Sequence, residues 1–140
     1  MICKWYSKGF EAVFNKEVDL DSDVVKVMLC GSGYSPAQST HKYKSAVTNE
    51  VSGAGYTAGG ATLSGKTVGT TGLTFTFDCN DIVWSSSTIT ARYAVFYIDT
   101  GTAATSPLLC YWDFESDQIS SSGNFTLTIS GSGVVTVTAA

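Results

Sequence analysis

From residue 61 to the C-terminus, short runs of alternating apolar and hydroxyl residues recur, with a turn signal about every 8 to 15 residues. "LTFTFD" sets Leu73, Phe75 and Phe77 against Thr74 and Thr76, and "NFTLTIS" sets Phe125, Leu127 and Ile129 on one face. "GVVTVTA" does the same with Val135 and Val137. Between the runs stand "GTTG", "CND", "DTGTAATSP", "SSSGN" and "SGSG". No long amphipathic helix intervenes, so parallel βαβ units are not expected. The pattern predicts one all-β domain over 1–140, an antiparallel β-sandwich or flattened barrel. "STITARYAVFYID" is the longest apolar run and the expected central strand, and "PLLCYWDF" and "ATLSGKTV" are further strands.

The first 60 residues read differently. Tyr6, Phe10, Val13 and Phe14 recur at the spacing of one helical face, which predicts a short helix over 4–16 pressed on the sheet. Gly9 weakens it by about 1 kcal/mol relative to Ala. A carboxylate-rich turn precedes a strand at "VVKVMLC", residues 24–30. Residues 31–60 are rich in Gly, Ser, Thr and Asn and read as a long loop arm, with a helical turn near 40–46. A loop of that length in a compact domain is usually functional or an interaction arm.

Charge narrows the partners. Only 14% of residues are charged, against about 25% in soluble domains. Eighteen Ser and eighteen Thr supply the polarity instead. The net charge is −4 and no basic stripe exists, which argues against nucleic acid, whose affinity rests on neutralised phosphates. No apolar run nears the ~20 residues of a membrane span, so no membrane partner is expected. "MICKWYSKGF" lacks the apolar core of a signal peptide, and folding in the cytoplasm is the expectation. Cys3, Cys30, Cys79 and Cys110 show no C-x-x-C spacing and read as free thiols, although three disulfide pairings remain open.

Several motifs invite a chemical reading. Gly60, Gly65, Lys66 and Thr67 match the phosphate-cradling G-x-x-x-x-G-K-[ST], with Asp99 as a mock magnesium ligand. That chemistry needs a buried strand before the loop and a helix after it. "VGTTGLTFTF" follows Thr67 and is a poor helix, so a nucleotide is not expected. Gly53, Gly55 and Ala58 loosely fit a dinucleotide fingerprint, again without a helix. Asp19, Asp21 and Asp23 alternate as in a calcium loop, but Val24 and Cys30 stand where Gly and an acid are required. Asp113, Glu115 and Asp117 alternate on the way out of a strand and read as a solvated face. His41, the sole histidine, lies in a polar loop and no nucleophile elbow accompanies it. "NFT" at Asn124 matches a glycosylation acceptor, which carries little weight without a signal peptide. No catalytic set, metal or cofactor is therefore expected.

Taken together, "KWYSKGFEAVFN", "DSDVVKVML", "YSPAQSTHKY", "NEVSGAGYTAGGATLSGKTV", "VWSSSTITARYAVFYIDT" and "PLLCYWDF" resemble a family of small virion-associated proteins of tailed bacteriophages. The resemblance covers almost the whole chain. It implies a non-enzymatic structural protein of the virion, foremost a capsid decoration or cement protein assembled in the host cytoplasm. The implied partners are the major capsid protein and further copies of the chain, a trimer being one such form. The cysteines depart from the apolar or small residues usual in that family, which suggests packing substitutions. Candidate interface residues are Trp5 and Tyr6 on the helix and Tyr34, His41, Tyr43 and Tyr56 on the loop. The alternative is a carbohydrate-binding module of a tail or head fibre, for which Trp84, Trp112 or the tyrosines would have to form an exposed flat surface.

Overall fold

The computed structural model describes all 140 residues. In chain order the elements are β1 (Ile2–Trp5), α1 (Ser7–Phe14), β2 (Val25–Cys30), β3 (Ala61–Thr62), β4 (Thr67–Thr71), β5 (Thr74–Asp78), β6 (Ile82–Ile98), β7 (Leu108–Leu127) and β8 (Val135–Thr138). Two antiparallel sheets form. One has five strands in the order β1-β7-β6-β2-β3, the other three in the order β4-β5-β8. The main core lies between them, built from alternate residues such as Val25, Val27 and Leu29 of β2 and Ala94, Phe96 and Ile98 of β6. The chain is the β-sandwich with one short helix that the alternating runs predict.

Two expected strands, "PLLCYWDF" and "NFTLTIS", are one. Residues 115–124, which include the expected turn "SSSGN", continue β7, which runs beside β6 from Tyr97↔Leu108 to Ile82↔Leu127. The ribbon bends rather than ends. Register shifts fall around Ser85–Thr88, and Ser86, Glu115 and Ser122 take positive φ of 49°, 66° and 50°. Serine hydroxyls substitute for the interrupted ladder: Ser87 and Ser120 share a 2.8 Å bond, and the Ser87 hydroxyl donates to the Gly123 carbonyl at 3.0 Å. The bend lets Trp84 and Phe125 turn into the main core. "ATLSGKTV" errs in the opposite direction, for it splits into β3 and β4 around Gly65 at φ 61°.

The N-terminal expectation needs two corrections. Residues 2–5 are strand, not helix, because Lys4 and Trp5 pair with Tyr111 and Cys110 of β7. The helix then buries Gly9 and Ala12, while Phe14 is 83% exposed. Close approach decides this: a Cβ at Gly9 would lie 2.8 Å from the Leu108 carbonyl oxygen. Gly9 therefore sets the packing distance instead of merely weakening the helix.

Residues 31–60 do not project as an arm. Tyr34 and Val47 pack over the outer face of the five-stranded sheet, with a 3-10 turn at Lys44–Ala46 and a bridge Tyr43↔Pro107, whereas Glu50 and Val51 bond to the end of β2 and Val51 and Tyr56 pack against the main core. On the outer face lies a second core of Tyr6, Met28, Cys30, Tyr34, Val95, Tyr97, Leu108 and Tyr111. Every residue of β2 but Lys26 is consequently buried. All four cysteines are free thiols, Cys3 exposed and the others buried.

Candidate functional site

The motif residues serve the scaffold. The Lys66 ammonium donates to the carbonyls of Leu20, at 3.2 Å, and Asp23. It clamps the 19–23 turn from across the chain. Thr67 opens a strand, not a helix, so no N-terminal row of amides faces a phosphate. Gly60 sits at φ 81° against β2, where a Cβ would come within 1.8 Å of the Val27 carbonyl oxygen. Gly53 and Gly55 approach β6, where a Cβ would lie 2.2 Å from the Thr88 carbonyl oxygen and 2.8 Å from the Ser87 Cα. Asp99 binds Lys26 at 3.1 Å and accepts the Gly101 amide at 2.9 Å. That amide first, and Lys26 second, hold its carboxyl below the usual carboxylate range.

The alternating acids are engaged likewise. Asp19 accepts the amides of Asp21 and Ser22, and Asp23 accepts that of Asp19 at 2.8 Å. These are local turn bonds. Asp113 binds Arg92 at 2.6 Å and takes the Glu115 amide at 2.7 Å. No group of three or more His, Cys, Asp or Glu converges on one point.

The six candidate interface residues separate. Tyr6 and Tyr34 are buried in the chain's own second core, with their hydroxyls 2.8 Å apart, and so present no surface. Tyr34 continues to His41 Nδ1 at 3.0 Å, which also accepts the Ala37 amide at 3.3 Å. Tyr6, Tyr34 and His41 thus form one chain of hydrogen bonds that pins the covering segment. Tyr56 donates to Glu50 at 2.7 Å and accepts the Leu29 amide at 3.0 Å, so it ties the segment to β2. Tyr43 donates to Glu17 at 3.0 Å. Of the six, Trp5 lines an open groove on the surface. Trp84 and Trp112 are 6% and 3% exposed, so neither offers a flat sugar platform.

The groove containing Trp5 belongs to a longer trough. A hollow of about 430 Å³ is lined by Trp112, Phe114, Ile119, Phe125, Asn124 and neighbouring threonines. A second, of about 300 Å³, is lined by Cys3, Trp5, Val134, Val135 and Thr136. Both include Met1, Trp112 and Thr128, so they adjoin. Trp5 Nε1 donates to the Thr136 carbonyl at 3.1 Å and Trp112 Nε1 to that of Val134 at 3.0 Å. These bonds tie β1 and β7 to β8 and the residue before it, along the floor of the trough. Ile119 is 71% exposed and Met1 66%. Ile119 lies between the expected strands "PLLCYWDF" and "NFTLTIS", in a stretch to which the sequence pattern assigns no face.

Neither a protein-family model, nor a curated protein, nor a solved structure matches the chain.

Proposed function

We propose that the chain is a non-enzymatic structural protein of a tailed-phage virion, a cement protein that docks on the head shell. The major capsid protein is its partner in this reading, and the virion its location. The trough is the observation that carries it. Six of the eight basic side chains are engaged internally: Lys8, Lys26, Lys42 and Arg92 in ion pairs, Lys66 on carbonyls and Lys44 over the Tyr97 ring. The exposed apolar residues and the amide of Asn124 are left free along the trough. Apolar surface rimmed by polar groups is what a protein partner buries. Repetition over a shell lattice turns modest contacts into firm attachment.

Mass spectrometry of purified tail-less heads tests the reading. The expected result is this chain at a copy number comparable to the shell protein. Absence from heads would end the cement reading. Ile119→Asp should abolish attachment and leave the melting temperature nearly unchanged, since Ile119 is mostly exposed.

A further inference from the structure

We propose that β4 is a self-association edge, at which two copies of this chain join their three-stranded sheets across a two-fold axis. The inference rests on the backbone and does not depend on the virion reading. β4 lies at the end of the order β4-β5-β8, at the opposite edge from the β8 seam that floors the trough. Beyond its ladder with β5, no backbone group of Thr67–Thr71 takes part in a hydrogen bond with the rest of the chain backbone. The edge at β8 is different, for its Thr136 carbonyl accepts the Trp5 indole and the carbonyl of Val134, just before it, accepts the Trp112 indole and the Cys3 thiol. At the edges of the five-stranded sheet, β3 has two residues and β1 carries Lys4.

Proteins that must stay apart protect such edges with charges, proline, bulges or brevity. β4 reads Thr-Val-Gly-Thr-Thr, pairs with β5 in unbroken register and has all five residues exposed. The Gly72–Leu73 connection joins Thr71 to Thr74 as a two-residue hairpin. Hydrogen-bonded pairs alternate from there, so Val68 and Thr70 turn their N–H and C=O groups outward. They flank Gly69 symmetrically. An antiparallel copy therefore sets Val68 against the other copy's Thr70 twice, with four new backbone bonds. Gly69 has no internal explanation: its φ is not positive and a Cβ there would meet nothing within 4 Å. A glycine inside a strand often marks the approach of another backbone.

The surface beside the edge suits the same occupant. A groove of about 510 Å³ runs along it, lined by Val13, Val18, Leu20, Val68 and Phe75. Its rim carries both signs, Lys16 with Asp19 and Asp21, so a second copy meets opposite charge at the rim and none at the strand. Isologous pairing of this kind closes on itself as a dimer.

Sedimentation equilibrium of the full chain across the micromolar range is the test. A monomer–dimer equilibrium is expected, weakened by about tenfold or more in Thr70→Pro, which removes an outward donor from each copy. Circular dichroism checks that the variant folds. If it does not, Thr70→Lys is used, since an edge lysine disfavours pairing and spares the ladder to β5. A strictly monomeric wild type, a trimer, or a dimer indifferent to the folded variant would each overturn the proposal. None of these results bears on whether heads carry the chain.

Discussion

Twenty-two buried residues lie between the two sheets, and eight lie between the five-stranded sheet and the segment that covers its outer face. The larger set is mostly aliphatic and aromatic hydrocarbon. Four of the smaller set are tyrosines, and two of them bond each other. The inner face is therefore held by area, which is indifferent to direction. The outer face is held by area together with hydroxyls that must each find a partner. Tyr97 gives its hydroxyl to the Gly59 carbonyl at 2.6 Å, and Glu50 takes the Gly59 amide at 2.7 Å. The covering segment is stitched at a few polar points, whereas the sheets are fused along their length. The segment should open while the sandwich stays closed.

The largest effect belongs to the fused side. Phe96 is fully buried there and packs on Trp112 at 5.2 Å between ring centroids. Phe96→Ala should cost about 3–5 kcal/mol, enough to threaten the whole domain. Urea unfolding followed by tryptophan fluorescence and by circular dichroism should move together. A loss confined to one probe would mean that the two faces are not ranked as described.

Alkali acts on the tyrosines that hold residues 31–60, three of them in the second core and Tyr56 against the main core. A phenol is neutral when protonated, and burial raises the folded pKa of Tyr6, Tyr34, Tyr56 and Tyr97 above the ordinary 10.0, with Tyr34 pushed up to about 12. The folded state then holds protons that the unfolded state has released. The stability these phenols confer is fully present below pH 10 and is lost as pH rises through the folded values. Tyrosinate absorbance should appear late and together with exposure of backbone amides in 31–60. Phenols ionising in the ordinary range, with the segment still protected, would contradict the hydroxyl account.

The sheet side was legible in the chain because alternation records which face is buried. Phe75, Phe77, Val135 and Val137 are readable one by one. The stitched side was not, since Tyr34, Tyr56 and Glu50 follow no period and meet β2 through a segment of glycines. Serines misled in the same way. Ser120–Gly123 has turn composition, yet the Ser120 and Ser87 hydroxyls bridge a bend inside two continuous strands. The trough was hidden for a third reason: Met1, Trp5 and Ile119 meet only after β1 has paired with β7, and no local pattern announces that pairing. Trp5 is a candidate as an apolar anchor on the expected N-terminal helix, and it keeps an open face although it lies on β1. Tyr6, suspected on the same ground, turns the other way into the second core.

A smaller effect isolates one stitch. Tyr56→Phe removes a hydroxyl that joins Glu50 to the Leu29 amide, leaving a buried donor unsatisfied. The cost should be about 1–3 kcal/mol and local. Hydrogen exchange at Leu29 and Val51 should accelerate, while amides of β5 and β8 keep their protection. Uniform acceleration would show the two faces to be one cooperative unit.

The thiols give the mildest and most direct comparison, because they sample both faces without a substitution. Cys3 is exposed, and the influence of the adjoining Cys110 thiol lowers its pKa below the ordinary 9.0. Burial raises the other three, Cys30 to about 12 and Cys79 to about 11, with Cys110 well above its usual value. Only thiolate reacts with an alkylating agent. One thiol per chain should therefore react near pH 8 and four after denaturation. The order of the remaining three is the informative part. Cys30 belongs to the second core under the covering segment, whereas Cys79 and Cys110 lie between the sheets. In mild urea Cys30 should be labelled before either of them, since local opening needs less free energy than global unfolding. Simultaneous labelling of all three would mean that the polar stitches hold as firmly as the sheet interface.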